Sequence, residues 1–216
     1  MIEMSEELKN LRQRLVDDIF WFQTLGSLRN EEGMGDPYFF GLGFIKLNLG
    51  PKFGGARLHF YHPELIGGGI VRDDDIHNHR YDFTSHILVG ELHQFEYYWQ
   101  PDSFYPVPRH PGKTGSFIVK CKEGEPLPTR YFELGTEHLI GSQIFAADSA
   151  YSLPATSFHR VEAHEPTVTL FVPGLFVNDT AIVLRPADNP PDVCPYSSPR
   201  TPEECWQLID DMLVGL

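Results

Sequence analysis

The chain has 216 residues, 41% of them hydrophobic and 22% charged, with a formal net charge of −13. That size suits one domain with a sizeable core, and that composition suits a folded protein rather than a disordered one. The acidity argues against nucleic acid and against anionic membrane as partners, because both demand a basic footprint.

The opening residues, MIEMSEELKN, carry neither a basic n-region nor an apolar h-region, and no later window supplies about 18 uninterrupted apolar residues. The chain therefore reads as cytoplasmic. Residues 5–25 are the first predicted helix: Ser5 caps, Glu6 and Glu7 suit the positive end of the dipole, and Leu8, Leu11, Leu15, Ile19 and Phe22 recur at helical spacing. Glycines and a proline in GMGDPY end it, and residues 38–186 then show no helical period.

That middle region is an all-β core. FFGLGFIKLNL, ARLHFYH, GGIVRDDDIHNH, FTSHILVGELHQFEYYW, GSFIVKC, TRYFEL, HLIGSQIF, SAYSLPA, SFHRVEAH, TVTLFVPGLFV and TAIVLRP are the predicted strands, rich in β-branched and aromatic residues and joined by glycine and proline turns. Many short strands of this kind build a sandwich or a barrel. Two proline-rich loops, 101–111 and 186–199, interrupt them and either cover a pocket mouth or pack on the outer wall.

Residues 201–215 are predicted as a closing helix. Thr201 is placed to cap, Pro202 stands at the first helical position, Glu204 falls three residues after the cap, and Cys205, Leu208, Ile209, Met212 and Leu213 form an apolar stripe. The stripe docks either on the β core or on a second subunit. One domain, 1–216, is expected. The cysteines, Cys121, Cys194 and Cys205, are odd in number and widely spaced, which suggests neither a disulfide framework nor a zinc knuckle.

The chemistry lies in the histidines. His77 and His79, in IHNHRYDF, share one face of a strand while Asn78 points away. About eighty residues on, YSLPATSFHR turns at Pro154, Ala155, Thr156 and Ser157 and delivers His159 onto a new strand. The stretch HNHRYDFTSHILVG followed by PATSFH resembles the two motifs of the cupin superfamily, HxH with a glycine some eleven residues later, then PxGxxH. The matching residues are His77, His79, Gly90, Pro154 and His159, with Thr156 in place of the usual glycine, and the resemblance covers roughly residues 56–177.

It implies a cupin-type, jelly-roll-like double-stranded β-helix barrel with an N-terminal and a C-terminal α-helix, and a metal held inside by His77, His79 and His159. Most metal cupins place a glutamate four or five residues after the second histidine, where this chain has Phe83 and Thr84. A three-histidine set is similar to that of the thiol dioxygenase branch, with cysteine dioxygenase its familiar member. Neutral ligands leave the charge of a divalent ion uncompensated, so an anionic thiolate or carboxylate can bind beside O₂. Fe(II) suits that role best; Zn, Mn and Ni are the other metals the set accepts.

Two residues are alternatives for the missing carboxylate: Asp82, if the backbone bends after His79, and His86, if the same irregularity turns it inward. Unbroken alternation would put Phe83, Ser85 and Ile87 inside instead. Arg57, His59 and Tyr61 share a strand face; if it looks inward, Arg57 clamps a substrate carboxylate while His59 or Tyr61 handles protons. His93, Phe95 and Tyr97 share another face that would add a hydrogen bond to a ligand or an aromatic lining. His62, His110, His138 and His164 are read as surface or hydrogen-bonded residues, and Asp73, Asp74 and Asp75 as a solvated turn rather than a calcium loop.

The leading expectation is a mononuclear non-haem iron oxygenase acting with O₂ on a small thiol- or carboxylate-bearing substrate. Its rivals are a metal-dependent isomerase, lyase or hydrolase using the ion as a Lewis acid, and a non-catalytic ligand-binding cupin, dimeric through its terminal helices.

Overall fold

The computed structural model describes residues 4–17, 21–40, 43–62, 71–72, 76–102, 114–119, 121–122, 125–126, 130–188 and 200–214. Two helices come first, α1 (Glu6–Asp17) and α2 (Trp21–Leu28). Strands follow as β1 (Tyr38–Phe40), β2 (Phe44–Asn48), β3 (Arg57–Tyr61), β4 (Val71–Arg72), β5 (Ile76–His77), β6 (Tyr81–Val89) and β7 (Glu91–Pro101). The second half adds β8 (Thr114–Val119), β9 (Cys121–Lys122), β10 (Glu125–Pro126), β11 (Arg130–Ala146), β12 (Ala150–Leu153), β13 (Phe158–Ala163), β14 (Thr167–Phe176) and β15 (Ala181–Pro186), and α3 (Pro202–Val214) closes the chain.

The expected helix over 5–25 is described as α1 and α2, with residues 18–20 outside the described residues. Leu8, Leu11, Leu15, Leu25 and Leu28 all enter one apolar cluster. In one straight helix, at about 100° per residue, Leu28 would sit roughly 200° around the axis from Leu8 and face water. α1 and α2 therefore do not share one straight axis, which brings both ends onto the same core. At the other terminus the capping box forms as read: Glu204 N–H donates to Thr201 Oγ1 at 3.2 Å, and Thr201 N–H donates to Glu204 Oε2 at 2.7 Å. Cys205, Ile209, Met212 and Leu213 then bury into the cluster that holds Leu8 and Leu58, so the stripe docks on its own chain.

The strands form two main antiparallel sheets. The first has the order β1-β2-β3-β14-β6-β12. In the second, β13 pairs with β4, β5 and β7, β7 with β11, β11 with β8, β8 with β15, and β15 with β5. Strand alternation gives the first sheet two apolar faces of different use. Leu58, Phe60, Leu88, Val168, Leu170 and Val172 pack under the helices, whereas Tyr61 and Ile87 meet Leu92, Val161 and Ala163 of the second sheet. The layers are thus helices, sheet, sheet.

Several strand expectations change in detail: FFGLGFIKLNL is β1 and β2, and FTSHILVGELHQFEYYW falls in β6 and β7. TRYFEL and HLIGSQIF are one strand, β11: Gly135 lies within it because a Cβ there would collide with Gln100 and Trp99, and Gly141 marks a register shift rather than an end. GGIVRDDDIHNH shows two short strands, β4 and β5, with Asp73, Asp74 and Asp75 outside the described residues. The two proline-rich loops and His110 also lie almost wholly outside them. No helix among the described residues is long and apolar enough to cross a membrane.

Candidate metal centre

Three segments bring His77, His79 and His159 together between the sheets. His77 ends β5 and lies directly opposite His159 on β13. His79 follows two residues later, past Asn78, whose backbone N–H donates to Ile182 O at 3.0 Å and whose Oδ1 accepts from Ile182 N–H at 2.7 Å. Asn78 therefore points away, as alternation requires, and fastens this segment to β15. On the other side, the turn at Pro154–Ser157 closes with Ser157 N–H donating to Pro154 O at 3.0 Å. Thr156 holds no positive φ in it, so the glycine usual in the resembling motif is dispensable here.

Asp82 joins these halves. Its Oδ1 accepts from Ala155 N–H at 2.7 Å, and Ala155 O in turn accepts from His79 N–H at 3.2 Å. The carboxylate is a latch on the turn that presents His159, and it does not belong to the donor group formed by the three histidines. His86 is no ligand candidate either. The strand alternates without inverting, so Phe83 and Ile87 face inward, whereas His86 lies on the helix side, where burial and then the charge of Arg12 lower its pKa.

One nitrogen from each of the three imidazoles lies within 4.8 Å of the others, and the His79 and His159 Nε2 atoms are 2.9 Å apart. Two nitrogens bound at right angles about 2.1 Å from one ion are separated by about 3.0 Å, so this pair fits adjacent corners of an octahedron. The separation also equals a hydrogen bond, in which one ring carries the Nε2 proton and the other the lone pair. His79 and His159 are held neutral, their pKa values pushed well below 6.5 by burial first and by His77 next. Neutral imidazole is the ligating form. The donor set, spacing and protonation state all suit a divalent transition metal.

Around the imidazoles the wall is aromatic. The Phe83 ring stands 4.6 Å from that of His79 and 4.6 Å from that of Phe171, on which it stacks. The face carrying Arg57, His59 and Tyr61 looks inward, resolving the alternative left open by the sequence. Arg57 lies 4.4 Å from the Phe171 ring centre and donates to the hydroxyl of Tyr81. His59 is buried against Phe44 and Phe171, and burial, then Arg57 and Lys46, hold its pKa well below 6.5. Tyr61 sits deeper, among Phe44, Ile87 and Leu92.

The buried polar atoms without a hydrogen-bond partner among the described residues include His59 Nε2, Thr169 Oγ1 and Gln94 Nε2, and also Nδ1 of the ligand candidate His159. Thr169 lies opposite His59 across β14 and β3, and Gln94 shares the inner face of the second sheet with Val161. Sequence reasoning passed over Tyr81, Gln94, Thr169 and Phe171. Tyr81 sits inside the quoted histidine stretch, but the others become visible only once the inner face of each strand is known.

The expectation for His93, Phe95 and Tyr97 is corrected. Cross-strand partners share a face, and these three oppose Glu162, Arg160 and Phe158, the side of β13 that faces away from His159. They line the outer surface rather than the centre. His138, as expected for a surface residue, is exposed and stacks on Tyr98.

No family model matches the chain, and no curated protein does. Among solved structures, hydroquinone 1,2-dioxygenase PnpCD in complex with Cd²⁺ and 4-hydroxybenzonitrile superposes at 15% identity and TM-score 0.31, covering 76% of this chain and 74% of that one. Drosophila melanogaster CENP-C bound to CAL1 reaches 8% identity and TM-score 0.37 over 78% of this chain and 100% of that one. Hydroquinone 1,2-dioxygenase from Sphingomonas sp. TTNP3 with 4-hydroxybenzoate bound gives 9% and 0.25 over 56% and 60%. None of these overlaps is close enough to carry a fold or an activity across.

Proposed function

We propose that the protein is a mononuclear non-haem iron oxygenase of the cupin type, with a jelly-roll-like barrel enclosing the metal and a small anionic organic molecule as substrate. The observation that carries the reading is the convergence of three imidazoles, two with Nε2 atoms 2.9 Å apart, in a wall that also carries Arg57. The interleaved orders β3-β14-β6-β12 and β5-β13-β7-β11 support the jelly-roll assignment.

His77, His79 and His159 would hold the ion. Bound iron(II) supplies the activation of O₂, chemistry that no side chain here can perform. The chain's own residues bind, orient and keep water out. Arg57, held against the Phe171 ring and beside Tyr81, places a positive charge in the wall that would draw a substrate carboxylate toward the centre. Phe83 and Phe171 exclude water from the face of His79. His59, neutral and with Nε2 unpartnered among the described residues, is placed to accept or share a substrate proton, and Thr169 and Gln94 present further polar atoms to a ligand between the sheets. Asp82 keeps His159 in place through the Ala155 backbone.

The test is metal analysis of anaerobically purified protein, followed by O₂ uptake with a panel of small thiols and carboxylates. The expected result is one iron per chain with substrate-dependent uptake, both lost in His159→Ala. Iron-free protein that turns over no panel member, with no change on His159→Ala, would overturn the reading. Turnover without O₂ would replace the oxygenase with Lewis-acid chemistry.

A further inference from the structure

Strand β13 has two faces of different chemistry. His159, Val161 and Ala163 are buried and look between the sheets, whereas Arg160 and Glu162 alternate with them and look out. On that outer face Glu162 lies directly opposite His93 of β7, and His164 follows two residues after Glu162. One ligand atom from each of His93, Glu162 and His164 lies within 4.8 Å of the other two.

We propose that His93, Glu162 and His164 form a second metal site that takes a borderline divalent ion such as Zn²⁺, on the opposite face of β13 from His159. Two imidazole nitrogens and one carboxylate oxygen are a three-ligand set of the kind zinc accepts, with water completing a tetrahedron, and they are a poor set for calcium or magnesium, which want oxygen donors. Tetrahedral bonds of about 2.05 Å put donor atoms about 3.3 Å apart. Glu162 Oε2 and His164 Nε2 are 3.9 Å apart, so closing round an ion needs a shift of about half an ångström, and the half-exposed His164 side chain is the part that can move.

The other two donors are already braced. Arg160 Nη2 lies 3.1 Å from Glu162 Oε1, which leaves Oε2 turned to His164. Arg160 is itself fixed, its Nε donating to Tyr97 OH at 2.9 Å and its guanidinium 4.7 Å from the Phe95 ring centre. The His93 ring rests 4.1 Å from that same Phe95 ring. A neighbour that occupies one carboxylate oxygen and aims the other is how ligating carboxylates are oriented in metal sites. A simple ion pair between Arg160 and Glu162 does not account for two histidines gathered round the same carboxylate. An ion there would tie β13 to β7, the pair of strands behind His159.

The site is tested with Zn²⁺ itself, on the full chain, by calorimetric titration and by the zinc-induced rise in melting temperature. In a His159→Ala background, which removes a ligand of the inner centre, one zinc per chain and a melting shift are expected to persist, and adding His164→Ala should abolish both. In the otherwise unchanged chain, His164→Ala should lower the zinc stoichiometry by one; this arm decides alone if His159→Ala does not fold. Unchanged stoichiometry and melting shift on His164→Ala, or binding seen only at millimolar zinc, would overturn the proposal. If the unaltered chain binds a single zinc that His164→Ala removes and His159→Ala does not, the outer site stands while the inner metal reading fails.

Discussion

Acid should destabilise the metal-free protein through its buried imidazoles. His59 and His159 are buried, and each has a folded-state pKa well below its ordinary value of 6.5. A lowered histidine pKa means the unfolded chain binds the proton that the folded one refuses. Their contribution to stability is therefore complete above the unfolded-state pKa and is lost as pH falls below 6.5 toward the folded values. At about pH 5.5 each costs on the order of 1 kcal/mol, so together with His79, which acts in the same direction, they cost a few kcal/mol. Against a total stability of about 5–15 kcal/mol that is a large share. The assay is urea unfolding in a chelator at about pH 7.5 and about pH 5.5; with a slope of about 2–3 kcal/mol/M the midpoint should drop by about 1 M or more. Replacing one titrating ring, as in His59→Gln, should shrink the pH-dependent loss by an amount on the order of 1 kcal/mol. A midpoint that moves by less than about 0.3 M would refute the claim that these rings are folded in neutral form.

Four further outcomes are expected. Asp82→Ala, which cuts the latch to Ala155 N–H, should weaken metal affinity at the three histidines by about 10–100-fold with an unchanged circular dichroism spectrum, measured by competition with a chelator of known affinity. Gly90→Ala should destabilise by more than about 2 kcal/mol in thermal melts, because φ is +74° there and a Cβ would meet the Pro166 carbonyl and Thr167. Thr201→Ala removes the acceptor for Glu204 N–H and should cost about 1 kcal/mol, read as a melting-temperature drop of about 2–4 °C. Arg57→Lys, which replaces a planar guanidinium with a point charge, should raise KM for a carboxylate-bearing substrate of the proposed reaction by about tenfold or more while leaving the metal content unchanged.

Much of this molecule is local and can be read along the chain. The capping box at Thr201 and Glu204 involves residues three apart. The shared face of His77 and His79 follows from strand alternation, and Gly90 answers a turn between adjoining strands. Even the pairing of His159 with that face was legible, through a resemblance between two short motifs rather than through any local rule. Other features depend on which side of a strand meets which neighbour. Alternation states that Arg57, His59 and Tyr61 share a face and that His93, Phe95 and Tyr97 share another, but it assigns no face to the interior. Helices docking on Leu58, Phe60 and Leu170 leave Arg57 and His59 to the inside, and pairing of β7 with β13 turns His93 to the outside. Asp82 makes the same point in one residue. Its type and position suit a metal ligand, and only the folded turn seventy-odd residues away, whose Ala155 N–H needs an acceptor, turns it into a brace. Spacing along the chain carries chemistry as far as the next turn; beyond it, burial and unpaired backbone groups decide which way each side chain faces.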